Sequence, residues 1–103
     1  NLKFTDTLYD LGTCKEGDTV IFHVEYKNIG KHLLELNFAQ GSCNCTEPIL
    51  NQTALKTNAI DSIKVYYYSS GQSGLYRGTV IIGANTIPSL NQIFFNVNVL
   101  PKK

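Results

Sequence analysis

The chain has 103 residues, 43% of them hydrophobic and 17% charged, with a net charge of +1. That length fits one domain spanning residues 1–103 and suffices to bury a core without disulfides or metals. The near-neutral balance gives no reason to expect nucleic acid or an anionic membrane as partner, and no apolar run approaches the roughly 20 residues of a membrane-spanning helix.

In chain order, the segments around Phe4 and from Leu8 to Leu11 are short and strand-like. An opening so close to a strand raises the expectation that an upstream targeting sequence has been removed. The clearest element is Val20 to Lys27, where Val20, Phe22, Val24 and Tyr26 share one face. Ile21, His23, Glu25 and Lys27 share the other, a period of two that specifies a strand. Asn28-Ile29-Gly30-Lys31 reads as a turn, because Asn and Gly tolerate positive φ. The next run sets Leu34, Leu36 and Phe38 inward, against Leu33, Glu35 and Asn37. Ile49-Leu50 supplies a short piece, and Ile63, Val65 and Tyr67 an inward face. Ser69 to Gly74 is a loop by composition, within which Gly71-Gln72-Ser73-Gly74 reads as a hairpin connection. Val80 and Ile82, then Ile93, Phe95, Val97 and Val99, complete the inward sets. Lys102-Lys103 is the one basic cluster and reads as the end of a domain.

About seven short strands with turn-rich connections predict an all-β, immunoglobulin-like two-sheet sandwich. The chain has no Trp, so the Cys…Trp…Cys core of antibody domains is missing and apolar packing must suffice. Outward positions are richer in apolar side chains than solvent requires. Ile21, Tyr66 and Tyr68, with His23, form a candidate interaction surface on one sheet, and Leu33, Ile81 and Phe94 lie on the other.

Three segments carry a resemblance: Tyr9-Asp10-Leu11-Gly12-Thr13 with Glu16-Gly17, then Tyr26-Lys27-Asn28-Ile29-Gly30, then Ser42-Cys43-Asn44-Cys45-Thr46. In this order and spacing the chain resembles the bacterial family called domain of unknown function fifteen seventy-three. That family is similar to the hydin-like and major-sperm-protein branch of immunoglobulin-like domains. The resemblance implies a non-catalytic binding or structural module of a secreted or lipid-anchored envelope protein, periplasmic or at the cell surface. Its partner would be a protein or a carbohydrate, with neighbouring domains in a longer chain. This sequence departs from the family pattern at Leu11, at Asn44, at Lys56 to Ala59, and at Cys14, where an aliphatic residue is usual.

Cys43, Cys45 and Cys14 are the motif thiols. An odd count leaves at least one thiol unpaired. A Cys43–Cys45 bridge is awkward in extended chain, where i and i+2 lie about 6.6 Å apart. Sandwich connectivity places Cys14, before one strand, at the same end as Cys43 and Cys45, after the next. Cys14 is therefore expected within about 10 Å of one of the pair, close enough to permit a bridge, although thiols that mainly shape a loop are the favoured reading. A thiol-redox or metal-handling role centred on the pair remains open. A metal site wants three or four ligands, and His23 and His32 are poorly placed to complete one, so no metal or other cofactor is expected.

No Ser, His and carboxylate fall into a nucleophile arrangement, and no Gly-rich phosphate loop precedes a helix, so no enzymatic activity is expected. Asn44-Cys45-Thr46 and Asn51-Gln52-Thr53 fit the glycosylation sequon, a pattern short enough to arise by chance.

Overall fold

The computed structural model describes residues 2–101; Lys102 and Lys103 lie outside the described residues. Five strands form where alternation predicts them, β3 (Thr19–Asn28), β4 (Leu34–Gly41), β7 (Ile60–Tyr68), β8 (Gly74–Ala84) and β9 (Leu90–Leu100), while β2 (Leu8–Lys15) and β5 (Thr46–Leu50) are longer than the short segments read at Leu8 to Leu11 and Ile49-Leu50. Two short strands, β1 (Leu2–Phe4) and β6 (Ala54–Leu55), bring the total to nine. One sheet has the order β1-β3-β7-β5, the other β2-β9-β8-β4-β6. All pairings are antiparallel except β2 with β9.

The inward sets meet between the sheets. Val24, Ile63, Val65, Tyr67, Val80, Ile82, Ile93 and Phe95 are fully buried. An aromatic row crosses this core: Tyr9 lies 5.4 Å from Phe22, Phe22 5.3 Å from Phe95, Phe95 5.6 Å from Tyr67, and Tyr67 5.4 Å from Tyr76. Contacts of this spacing add to the hydrophobic stabilisation of each ring. They occupy the interior that antibody domains fill with Trp and an inter-sheet disulfide.

Two strands carry an extra residue, and each insertion reverses which side chains face inward. On β2 the register with β9 shifts between Asp10 and Thr13. Gly12 takes φ +75°, and its N–H donates to the Asp10 carboxylate at 3.0 Å. The Asp10-Leu11-Gly12 motif is thus a bulge closed by its own Asp, and beyond it Cys14 turns toward the core. On β4 the shift falls between Leu36 and Phe38. Leu34 and Leu36 are buried, but Phe38 is 42% exposed, contrary to the simple alternation, and Ala39 takes the inward place.

Two connections also differ from expectation. Ser69 to Gly74 links β7 to β8, which lie in different sheets, so it is a crossing and not a hairpin. Ser69 fixes its start by donating its hydroxyl to the carbonyls of Lys15 and Asp18, and Gly71 N–H donates to the Glu16 carboxylate. The turn after β3 does not depend on positive φ at Asn28 or Gly30. The Asn28 side chain holds it instead. Its amide donates at 2.9 Å to the carbonyls of His32 and Leu55, and its oxygen accepts from Gly30 N–H. Asn28 is fully buried with these groups paired, as a buried amide must be.

Candidate functional site

After Gly41 the chain leaves β4, crosses to the opposite sheet and enters β5 at Thr46. A Cβ at Gly41 would come within 2.6 Å of Thr46 Cβ, so only glycine lets the loop fold back this closely. Both ends are fixed: Ser42 N–H donates to Thr79 O at 2.9 Å, and Tyr68 N–H donates to Cys45 O at 2.7 Å. Between them Thr46 N–H donates to Cys43 O at 3.2 Å, closing a tight turn.

The turn draws the Cα atoms of Cys43 and Cys45 to 5.2 Å, and the two sulfurs form a disulfide. The extended-chain argument against this pairing fails because the segment is a turn. Five-ångström spacing lies within the range that bridges need.

Cys14 is not bridged. It lies on the edge strand β2, and β9 and β8 separate that strand from β4. Neighbouring strands are about 4.8 Å apart, so a shared end of the sandwich does not by itself bring Cys14 within bonding reach. The buried hydroxyl of Tyr67 has no hydrogen-bond partner among the described residues. Burial pushes the Tyr67 phenol upward, and nearby Tyr76 and Cys14 add to the shift.

The disulfide has an asymmetric environment. Cys43 Sγ lies 3.1 Å from the Tyr76 hydroxyl and accepts from Cys45 N–H at 3.3 Å. Cys45 Sγ is 3.6 Å from the same hydroxyl and packs against the core. Ser42 Oγ is 3.4 Å from it too, while accepting from Thr79 N–H at 3.1 Å. An open cleft of about 580 Å³ runs beside the loop, and Gln40, Cys43, Asn44, Glu47 and Tyr68 line it. Cys43 is among the residues that line the cleft and Cys45 is not, though both are half-buried. Sequence reading did not single out Tyr76. Its signal is the inward parity it shares with Gly78, Val80 and Ile82, which aims a phenol into the core beneath the loop.

The second candidate region is the outer face of the four-stranded sheet. Ile21 pairs directly with Tyr66, His23 with Lys64, and Thr19 with Tyr68. Ile21 is 48% and Tyr68 36% exposed, His23 is exposed, and Tyr66 is partly buried. The Tyr66 and Tyr68 rings stack at 6.2 Å, and the Lys64 ammonium sits 5.1 Å over Tyr66. Tyr68 donates to Glu47 at 2.6 Å, which together with burial raises its phenol above the ordinary range. Ile21, His23, Tyr66 and Tyr68 therefore lie on one rigid ladder.

His32 is in the turn after β3, where its carbonyl serves Asn28. No three His, Cys, Asp or Glu side chains gather as a metal-ligand cluster among the described residues. No helix there is long and apolar enough to cross a membrane.

Residues 2–99 match the profile of the family described as "Protein of unknown function (DUF1573)". The chain belongs to this family. Its Asp-x-Gly, Asn-x-Gly and Cys-x-Cys motifs are, in this structure, the β2 bulge, the buried Asn28 turn and the disulfide loop. None of the curated proteins matches the chain. Among solved structures it is similar to a protein of unknown function from Porphyromonas gingivalis W83, with TM-score 0.82 and 16% identity over 94% of this chain and 46% of that one. It is also similar to the secreted serine protease VesC from Vibrio cholerae, with TM-score 0.71 and 14% identity over 95% of this chain and 23% of that one. A third likeness is the ASH / PapD-like domain 7 of human CEP192, with TM-score 0.72 and 10% identity over 99% and 87%. The chain thus spans less than half the length of the first two. At these identities the likeness establishes the fold, an immunoglobulin-like sandwich of the PapD-like kind.

Proposed function

We propose that residues 1–103 form one non-catalytic binding module of a bacterial envelope protein, acting outside the cytoplasm, and that it docks a protein partner through the outer face of β3 and β7. The observation that carries this reading is the strip of Ile21, Tyr66 and Tyr68 presented on an uninterrupted strand pair. Tyrosines of this kind supply large contact area at small entropic cost, and they are enriched where proteins meet. His23 and Lys64 give the strip a polar margin. The Cys43–Cys45 disulfide supports an oxidising compartment, where such bonds persist. The secreted nature of VesC points the same way.

The test is site-specific photo-cross-linking in the native host, with a photoreactive phenylalanine at Tyr66 or, on the opposite sheet, at Thr79. The expected result is a discrete protein adduct from Tyr66, recovered with the envelope fraction, and none from Thr79. Equal labelling from both faces, no adduct from Tyr66, or recovery in the cytoplasm would overturn the reading.

A further inference from the structure

We propose that the Cys43–Cys45 disulfide is a thiol–disulfide exchange site for small thiols such as glutathione, with Cys43 the sulfur that forms the mixed disulfide and Tyr76 its positioning residue. This goes beyond the docking face and does not depend on it. Three observations support it. Cys43 lines the open cleft, whereas Cys45 packs against the core, so an incoming thiolate reaches Cys43 first. Two donors, Cys45 N–H at 3.3 Å and the Tyr76 hydroxyl at 3.1 Å, converge on Cys43 Sγ. Donors aimed at a sulfur favour its thiolate, the nucleophilic and leaving form in exchange. Finally, the Tyr76 hydroxyl is placed to donate to Cys43 Sγ at 3.1 Å, whereas toward Cys45 Sγ at 3.6 Å its oxygen can only accept, so the donor favours the charge on Cys43.

The chemistry balances as two displacements. An external thiolate attacks Cys43 Sγ; a bond forms between the two, the Cys43–Cys45 bond breaks, and Cys45 departs with the electron pair. A second external thiolate then attacks the external sulfur of the mixed disulfide. An external disulfide forms, and Cys43 leaves as the thiolate held by Tyr76 and Cys45 N–H. Two external thiols are oxidised, the protein pair is reduced, and their two protons end on Cys43 and Cys45. A small disulfide such as oxidised glutathione reverses the sequence.

The experiment uses folded protein and glutathione. Oxidised protein is incubated with reduced glutathione, quenched in acid, alkylated and mapped by mass spectrometry. Alkylated thiols should rise from one, Cys14, to three, with glutathione trapped on Cys43 at early times. In reduced single variants with oxidised glutathione, Cys45→Ser should form its adduct at least about tenfold faster than Cys43→Ser. Tyr76→Phe keeps the ring and loses the donor. In the Cys45→Ser background it should slow adduct formation about fivefold near neutral pH and move the rate profile to higher pH. Reduction only in denaturant, glutathione trapped on Cys45, or a Tyr76→Phe profile that does not move would each overturn the proposal. Should a Cys variant fail to fold, the trapped adduct on wild-type protein decides the assignment.

Discussion

Phe22 on β3 and Phe38 on β4 are the same residue type, each on the apolar face of a run with the same alternating signature, yet they end in opposite places. Phe22 is 8% exposed and sits in the aromatic row; Phe38 is 42% exposed, with its ring over Gly83 on the outer surface. The strands differ in what pairs with them. β3 holds nine consecutive pairs with β7 without a shift, so the period of two persists from Thr19 to Lys27. β4 inserts a residue against β8 after Leu36, and everything beyond it changes face. Alternation reports the side of a residue only as far as its ladder remains unbroken.

The largest expected effect tests the unbroken side. Phe22→Ala or Phe95→Ala should destabilise by about 3–5 kcal/mol in chemical denaturation, because each leaves a ring-sized void among neighbours held by two sheets. A loss below about 1 kcal/mol at Phe95 would mean that the row does not organise the core.

Asn28→Ala comes next, at about 2–4 kcal/mol, since the carbonyls of His32 and Leu55 would lose the donor that satisfies them. Asn28→Asp sharpens this, because a carboxylate cannot donate to either carbonyl. It should do no better than Ala, and full stability for Asp would refute the donor role.

These residues also show how far the sequence was legible. The two sheets, the inward sets of β3, β7, β8 and β9 and the clustering of Ile21, His23, Tyr66 and Tyr68 follow from period-two patterning, which depends only on local chain geometry. The Asp10 and Asn28 motifs were visible as motifs but not as devices, because each works through a side chain whose partner is set by the fold. The β4 bulge has no such marker: Leu36-Asn37-Phe38 reads as regular strand. The Cys43–Cys45 pairing was missed for a related reason. It depends on the Gly41 approach to Thr46 and the turn that follows, and both arise only when the chain crosses between sheets. Cys14 is turned inward by the Gly12 bulge, an effect that alternation alone misplaces by one residue.

A smaller effect tests the buried end of β3 through pH. Burial, and then the neighbouring Asp61 carboxylate, push the Tyr26 phenol up to about 12. An unfolded tyrosine ionises near about 10. Between these values the unfolded chain binds fewer protons than the folded one, so stability falls as pH rises from about 10 toward 12 and is unaffected below. Tyr9 and Tyr67 are raised mainly by burial and act with the same sign. Tyr26→Phe should flatten part of the alkaline decline in denaturation midpoints. An unchanged slope would mean that Tyr26 does not contribute to it.

The smallest expected effect is on the interrupted side. Phe38 lies opposite Gly83, a residue without a side chain, and its ring covers that backbone, which is buried. Removing it uncovers a strip of backbone but opens no cavity, so Phe38→Ala should cost about 1 kcal/mol or less. A polar replacement separates the two faces more sharply. Phe38→Thr keeps strand propensity and places its hydroxyl in water, so it should match Phe38→Ala. Leu36→Thr, two residues earlier and 4% exposed, buries a hydroxyl and loses apolar volume, so it should cost at least about 2 kcal/mol. If the two threonine variants were equally destabilised, the bulge would not exist in solution and β4 would alternate as its sequence suggests. A wide gap between them would locate the reversal of facing between Leu36 and Phe38.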